Sequence, residues 1–215
     1  MQRNVMVVAV SAMVLAGMLA QEARADGHPR FEVTPFAGYR TGGGFKIEDT
    51  EGTTSGSVDV GDDASFGVDL GLYRDDNSFY EFLYSRQQAS LDSHDPLFDG
   101  VDVTVEYYQL GGTAMFPDES DHLLPYLSMT IGATRLSASG YDSDTKFSAS
   151  LGGGLRVPFN DNLIATLGLR GYLTFVESNT QFLCVSNGGN GTCLLKSSGS
   201  TFFQGEAQLG LTFRF

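Results

Sequence analysis

The sequence predicts an all-β chain, folded as an eight-stranded antiparallel up-and-down transmembrane β-barrel. Three observations carry that expectation. Between Phe31 and Phe215, eight segments alternate apolar and polar side chains. Long polar loops and short turns separate these segments in turn, and aromatic residues gather near both ends of them. Because side chains of an extended strand point to opposite faces with a period of two, each segment has one apolar and one polar wall.

The first 25 residues are expected to be a cleaved signal peptide. Arg3 supplies a short positive region, Val5 to Ala20 form an almost wholly apolar run, and Ala23-Arg24-Ala25 fits the small-x-small rule for cleavage. The barrel domain is then expected over residues 26–215, without a second apolar run of the roughly 20 residues that a membrane helix needs. Setting aside Arg3, Arg24 and Glu22 from the 13 basic and 26 acidic residues leaves 11 and 25, a formal charge of −14. Such acidity argues against nucleic-acid binding, which calls for basic patches.

Strand one, Phe31–Arg40, puts Phe31, Val33, Ala37 and Tyr39 on its apolar face. Strand two, Ser65–Tyr73, sets Phe66, Val68, Leu70 and Leu72 outward and Asp69 inward. Strand three, Phe79–Gln88, sets Tyr80, Phe82 and Tyr84 against Glu81 and Ser85. Strand four, Val103–Phe116, is the least regular: with Tyr108, Leu110, Ala114 and Phe116 facing lipid, Glu106 must sit above the hydrocarbon. Strand five, Pro125–Leu136, opposes Leu127, Met129, Ile131 and Ala133 to Ser128, Thr130 and Thr134. Strand six, Lys146–Phe159, opposes Phe147, Ala149, Leu151, Leu155, Val157 and Phe159 to Ser148, Ser150 and Arg156. Strand seven, Asn162–Phe175, opposes Leu163, Ala165, Leu167, Leu169, Leu173 and Phe175 to Thr166, Arg170 and Tyr172. Strand eight is Thr201–Phe215, with Phe203, Ala207, Leu209, Leu211, Phe213 and Phe215 on one face and Gln204, Glu206, Gln208, Thr212 and Arg214 on the other.

Residues 41–64, 91–101, 138–145 and 176–200 read as polar loops, whereas Arg74–Ser78, Pro117–Leu124 and Asn160–Asp161 read as short turns. Ten residues rising about 3.3 Å each and tilted about 45° cover about 23 Å, close to the apolar band of a barrel wall, about 25 Å tall. Within that band the expected outer face carries no charge, and Arg86 and Arg135 come at its upper rim. A soluble lipocalin-like barrel would alternate in the same way with its apolar face turned inward. The aromatic girdles, the small polar residues of the opposite face and the terminal phenylalanine favour the membrane form.

Eight charges fall on the inward phase: Glu32, Arg40, Asp69, Glu81, Arg156, Arg170, Glu206 and Arg214. An eight-stranded barrel is just wide enough for side chains to fill it, and buried charges must pair. A plug of ion pairs is therefore expected, with Glu81, Arg156, Arg170 and Glu206 at mid-depth. Cys184 and Cys193 close a ten-residue loop rich in Gly and Asn, and in an exported chain they are expected to form a disulfide.

From Phe31 to Phe215 the chain resembles the small eight-stranded outer-membrane β-barrel family, the OmpA-barrel, OmpX and opacity-protein group. The ending Leu209-Gly210-Leu211-Thr212-Phe213-Arg214-Phe215 is the most specific element of that likeness. The resemblance implies a Gram-negative outer membrane, periplasmic termini, and contact with outer-membrane lipids and lipopolysaccharide. It also implies that Leu209, Leu211, Phe213 and Phe215 form the signal read by the barrel-assembly machinery. A wall-anchoring role is not implied, since no peptidoglycan-binding domain is expected after the barrel.

The expected function is structural and interactive: a monomer that presents loops, with host or envelope proteins as candidate partners through adhesion. A small ion or solute pore is the alternative, and a lipid-modifying enzyme a third class. Catalysis has thin support. Of His28, His94 and His122, only His94 has suitable neighbours, in Ser93-His94-Asp95, and adjacent residues of an extended segment point apart. No zinc motif or phosphate loop is present, so no cofactor is expected. The acidic stretch Glu48–Asp63 does not have EF-hand spacing and reads as a solvated loop.

Overall fold

In the computed structural model, the described residues are 31–48, 55–93, 102–117, 123–138, 143–175, 181–187, 190–196 and 201–215. They form β1 (Phe31–Thr41), β2 (Gly44–Glu48), β3 (Ser55–Val60), β4 (Asp63–Asp75), β5 (Ser78–Ser93), β6 (Asp102–Met115), β7 (Leu124–Ala138), β8 (Asp144–Asn160), β9 (Leu163–Phe175), β10 (Gln181–Asn187), β11 (Asn190–Lys196) and β12 (Thr201–Arg214). The expected signal segment and all three histidines lie outside the described residues.

Eight of these strands are barrel staves. Each pairs antiparallel with its neighbour in the order β1, β4, β5, β6, β7, β8, β9, β12. Pairing of β12 with β1, from Glu32 opposite Arg214 to Thr41 opposite Gly205, closes the ring. Closure removes sheet edges, the requirement for strands that cross lipid. At the seam the Phe215 amide donates to the Phe31 carbonyl at 2.9 Å, and the two rings stack at 6.4 Å.

Two stretches that read as loops carry further strands. Residues 41–64 contain the β2–β3 hairpin, whose second strand, β3, also pairs with the end of β5, and residues 176–200 contain the β10–β11 hairpin. β5 itself continues to Ser93, past the expected end at Gln88. Gly42 and Gly43 hold φ of +83° and +111° where the chain leaves β1 for β2, a conformation that side chains disfavour. On the short-turn side, Asp75 to Ser78 and Asn160 to Leu163 join adjacent staves tightly.

The two faces of the wall differ as the alternation requires. On neighbouring positions, Leu169 is 70% exposed and Arg170 5%, while Leu151 is 53% exposed and Ser150 4%. In water such an outer surface would be a single apolar belt; in hydrocarbon it is the solvated face. The inward face has two zones. Its lower part is mainly polar, with Phe36, Phe79, Leu83 and Ile164 among the charged and hydroxyl groups, and toward the long-loop end it becomes an apolar cluster of Val60, Ala89, Val103, Val105, Leu136, Ala138 and Phe202. The upper barrel thus carries a small hydrophobic core of its own.

Candidate functional site: a charge-paired lumen

All eight charged residues expected to face inward do so, and the structure joins six of them in hydrogen-bonded ion pairs. Near the short-turn end, Arg156 grips Glu32 as a two-pronged fork, Nη1 to Oε1 at 2.8 Å and Nη2 to Oε2 at 2.6 Å. Tyr73 donates to the same carboxylate at 2.7 Å. Arg214 stands opposite Glu32 in the ladder, yet its Nε stays 3.9 Å away, over the Tyr73 ring.

Higher up, Glu206 lies in register between two arginines, Arg40 on β1 and Arg170 on β9. Geometry divides them. Arg40 binds Glu206 at 3.0 Å, whereas Arg170 reaches across the lumen to Glu81 at 2.6 Å and donates to Ser150 at 3.1 Å. Both carboxylates accept further hydrogen bonds: Thr113 donates to Glu81, and Ser65, Tyr172 and Gln208 donate to Glu206. The guanidinium of Arg40 also lies 4.9 Å from the centroids of Tyr107 and Tyr172, whose rings stack at 4.1 Å. Each member of the three ion pairs thereby has both a counter-charge and hydrogen bonds, which offset its desolvation, although the Nε atoms of Arg40, Arg156 and Arg170 are buried without a hydrogen-bond partner.

Arg214 and Asp69 are the exceptions: the buried Nε of Arg214 has no hydrogen-bond partner, and Asp69 is likewise unsatisfied. Its Oδ1 is buried without a hydrogen-bond partner, facing Glu81, Arg170 and Glu32. It lines a lumen cavity of about 30 Å³ with Arg156, Arg170, Tyr126, Gln208 and Thr166. A polar cavity of that size accommodates about two water molecules, since one needs roughly 10–15 Å³.

The sequence reading put Gln204, Thr130 and Ser148 on the inward phase but missed their neutral partners Tyr107, Gln87 and Gln109. Tyr107 donates to Gln204 at 2.9 Å, Gln204 donates to Gln87 at 3.1 Å, and Gln87 donates to the Arg40 carbonyl at 3.1 Å. Gln109 donates to Ser148 at 2.8 Å and accepts from Thr130 at 2.7 Å. Their signal was the inward phase itself, which holds for neutral side chains as it does for charged ones.

Small inward residues make room for these groups. A methyl group at Gly71 would stand 2.6 Å from the Glu32 side chain, and one at Gly168 would collide with the Tyr126 hydroxyl. Bulk at either position would displace the lumen side chains.

Cys184 and Cys193 stand directly opposite each other in the β10–β11 ladder. Cα atoms so paired lie about 4.5–5.5 Å apart, inside the range that a disulfide spans. Of the expected assembly signal, Leu209 and Leu211 are exposed on the outer wall, 64% and 38%, and Phe213 and Phe215 end the seam strand. The acidic stretch Glu48–Asp63 is partly taken up by β2 and β3.

A closed antiparallel ring with an apolar exterior and a polar, ion-paired interior is the architecture of small outer-membrane barrels. The family profile described as outer membrane protein beta-barrel domain matches residues 8–215. The chain belongs to this family. Among solved structures, it is similar to the outer membrane protein AlkL, determined in DMPC lipid bilayers, with 16% identity, a TM-score of 0.59, and coverage of 90% of this chain and 94% of that one. It is also similar to the outer membrane protein OprG of Pseudomonas aeruginosa, with 12% identity, a TM-score of 0.58, and coverage of 87% and 96%. At such identities the likeness is one of fold. No curated protein sequence matches the chain.

Proposed function

We propose that this barrel is a non-catalytic, monomeric component of the outer membrane that stiffens the envelope and presents its long-loop end to the exterior, with both termini periplasmic. The observation that carries this reading is the filled lumen. Three buried ion pairs, Glu32–Arg156, Glu81–Arg170 and Arg40–Glu206, cross-brace the staves at successive depths, and the apolar cluster lies above them. A plug with this many satisfied charges favours a brace over a conduit. On this reading, recognition belongs to the β2–β3 and β10–β11 hairpins, raised on a rigid scaffold, where loops commonly carry function. Host or envelope proteins are the candidate partners there. The pair Cys184–Cys193, as a disulfide, pins the second hairpin, and the strand ending in Phe215 engages the assembly machinery.

Planar-bilayer recording of the purified barrel tests the proposal. Silent membranes are expected from the wild-type protein. Discrete conductance steps would replace the brace with the pore reading. Incubation with lipid A should leave its acyl chains unchanged; loss of a chain that depends on His94 would make the protein an enzyme.

A further inference from the structure

Three staves, β4, β6 and β7, give no member to the three buried ion pairs. Of these, only β4 carries a charge inside the lumen, Asp69. It is the fourth carboxylate among four lumen arginines, and it faces the carboxylates of Glu32 and Glu81. Yet among the described residues no guanidinium comes within 4 Å of it.

Asp69 begins a row of polar side chains that runs around the lumen over five staves. It stands opposite Thr34 on β1. The Thr34 and Thr212 hydroxyls are 2.7 Å apart, and those of Thr212 and Thr166 on β9 are 2.9 Å apart. Thr166 in turn stands opposite Arg156 on β8. The two ends of the row, Asp69 and Arg156, line the same cavity of about 30 Å³, with Arg170 beside them. Asp69 Oδ1, Arg156 Nε and Arg170 Nε are all buried without a hydrogen-bond partner.

Charge and size limit what this space accepts. A cation would meet two guanidinium groups, and an anion would meet the Asp69 carboxylate. Two free donors and one free acceptor call for a neutral molecule that accepts and donates at once. A cavity of about 30 Å³ has room for two waters and little more, since each needs roughly 10–15 Å³ and two to four polar partners.

We infer that the cavity is a water site, in which two bound molecules accept from Arg156 Nε and Arg170 Nε and donate to Asp69 Oδ1. They make Asp69 the fourth ionic tie of the plug, water-mediated where the other three are direct. Through them β4 is anchored to β8 and β9 across the lumen. Thr166 and Gln208, also in the lining, take the remaining hydrogens. The lumen is thus wet at Asp69 and dry at Phe202, in the apolar cluster of the long-loop end. The inference rests on the plugged-lumen reading.

Pulsed X-ray hydroxyl-radical footprinting of the full-length barrel in detergent micelles tests it, because radicals born from bound water oxidise the side chains beside that water. Phe36 and Phe79 line the cavity and are 8% and 5% exposed, while Phe202 is 0% exposed. In the wild type, Phe36 and Phe79 should gain oxygen about fivefold faster than Phe202, since buried water lies beside only the first two. Asp69→Leu removes the acceptor and fills the space. It should bring both rates down to that of Phe202 while keeping heat-modifiable gel mobility. Equal, slow oxidation of all three phenylalanines in the wild type overturns the water site and leaves the plug standing. Equal, fast oxidation of all three overturns both the site and the plugged-lumen reading. Unchanged rates in Asp69→Leu overturn Asp69 as the group that holds the water. If that variant fails to fold, Asp69→Asn, of nearly the same size, decides. Hydrogen bonds to a charged acceptor are about twice as strong as neutral ones, so its loss of charge should slow oxidation of Phe36 and Phe79 about twofold, and an unchanged rate contradicts the site.

Discussion

Arg170 and Glu81 show what a single residue can and cannot reveal in advance. The period-two phase placed both inside, because a lipid-facing charge at mid-wall is costly, but it left their partners open. Partner choice depends on which side chains meet across the lumen, from strands that are not neighbours, and so on barrel closure and stagger. Glu206 has an arginine on either side in register, and only the three-dimensional reach of Arg170 toward Glu81 leaves Arg40 to it. Removing one member of a buried pair strands the other, at a cost of about 3–5 kcal/mol. Arg170→Met should therefore lower unfolding stability by that order in a urea titration of the micelle-folded barrel. Adding Glu81→Leu should restore most of the loss. A single variant as stable as wild type would mean that the pair is solvated rather than sealed.

Strands four and eight of the sequence mark the two extremes of legibility among the elements. The last strand, β12, was plain, since its apolar and polar faces separate cleanly and its partner strands do not alter that reading. β6 was obscure because Val103, Val105 and Tyr107 face the lumen while Tyr108 and Leu110 face lipid, so both faces of its length are largely apolar. The upper apolar core erases the contrast from which phase is read. Leu209, 64% exposed on the wall of β12, gives an element-level prediction. Leu209→Arg should cost about 2–4 kcal/mol if it faces hydrocarbon near mid-depth; a change below about 0.5 kcal/mol, the range of ordinary surface substitutions, would place it in water.

The turn between β4 and β5 offers a titration outside the membrane. The Ser78 hydroxyl, at 2.6 Å, and the Asn77 amide, at 3.0 Å, donate to the Asp75 carboxylate and hold its pKa below the ordinary value of 3.8. A carboxyl depressed in the folded state contributes its stability above the unfolded pKa and loses it as pH falls through the folded one. NMR titration of Asp75 should accordingly give a midpoint below 3.8. A midpoint at or above that value would break the turn assignment. In the β10–β11 hairpin, intact-mass analysis of the oxidised protein should find Cys184 joined to Cys193, with two free thiols appearing only after reduction.

For the whole molecule, alternation, loop asymmetry and the terminal strand foretold the barrel and its membrane. They did not foretell that two of the long loops carry paired strands. Segments such as Ser55–Val60, where Ser, Gly and Asp interrupt the two valines, have little strand propensity of their own, and pairing with neighbouring strands orders them. Nor could composition distinguish a plugged lumen from an open one, since both need inward polar residues. That distinction is the centre of the account, and thiol labelling across the wall addresses it most directly. In vesicles, with Cys184 and Cys193 replaced by serine, Ser150→Cys should resist a charged, membrane-impermeant methanethiosulfonate reagent. Leu151→Cys should resist the same reagent but react with an apolar maleimide from the lipid. Rapid modification of Ser150→Cys by the charged reagent would show an open, water-filled lumen and contradict the account.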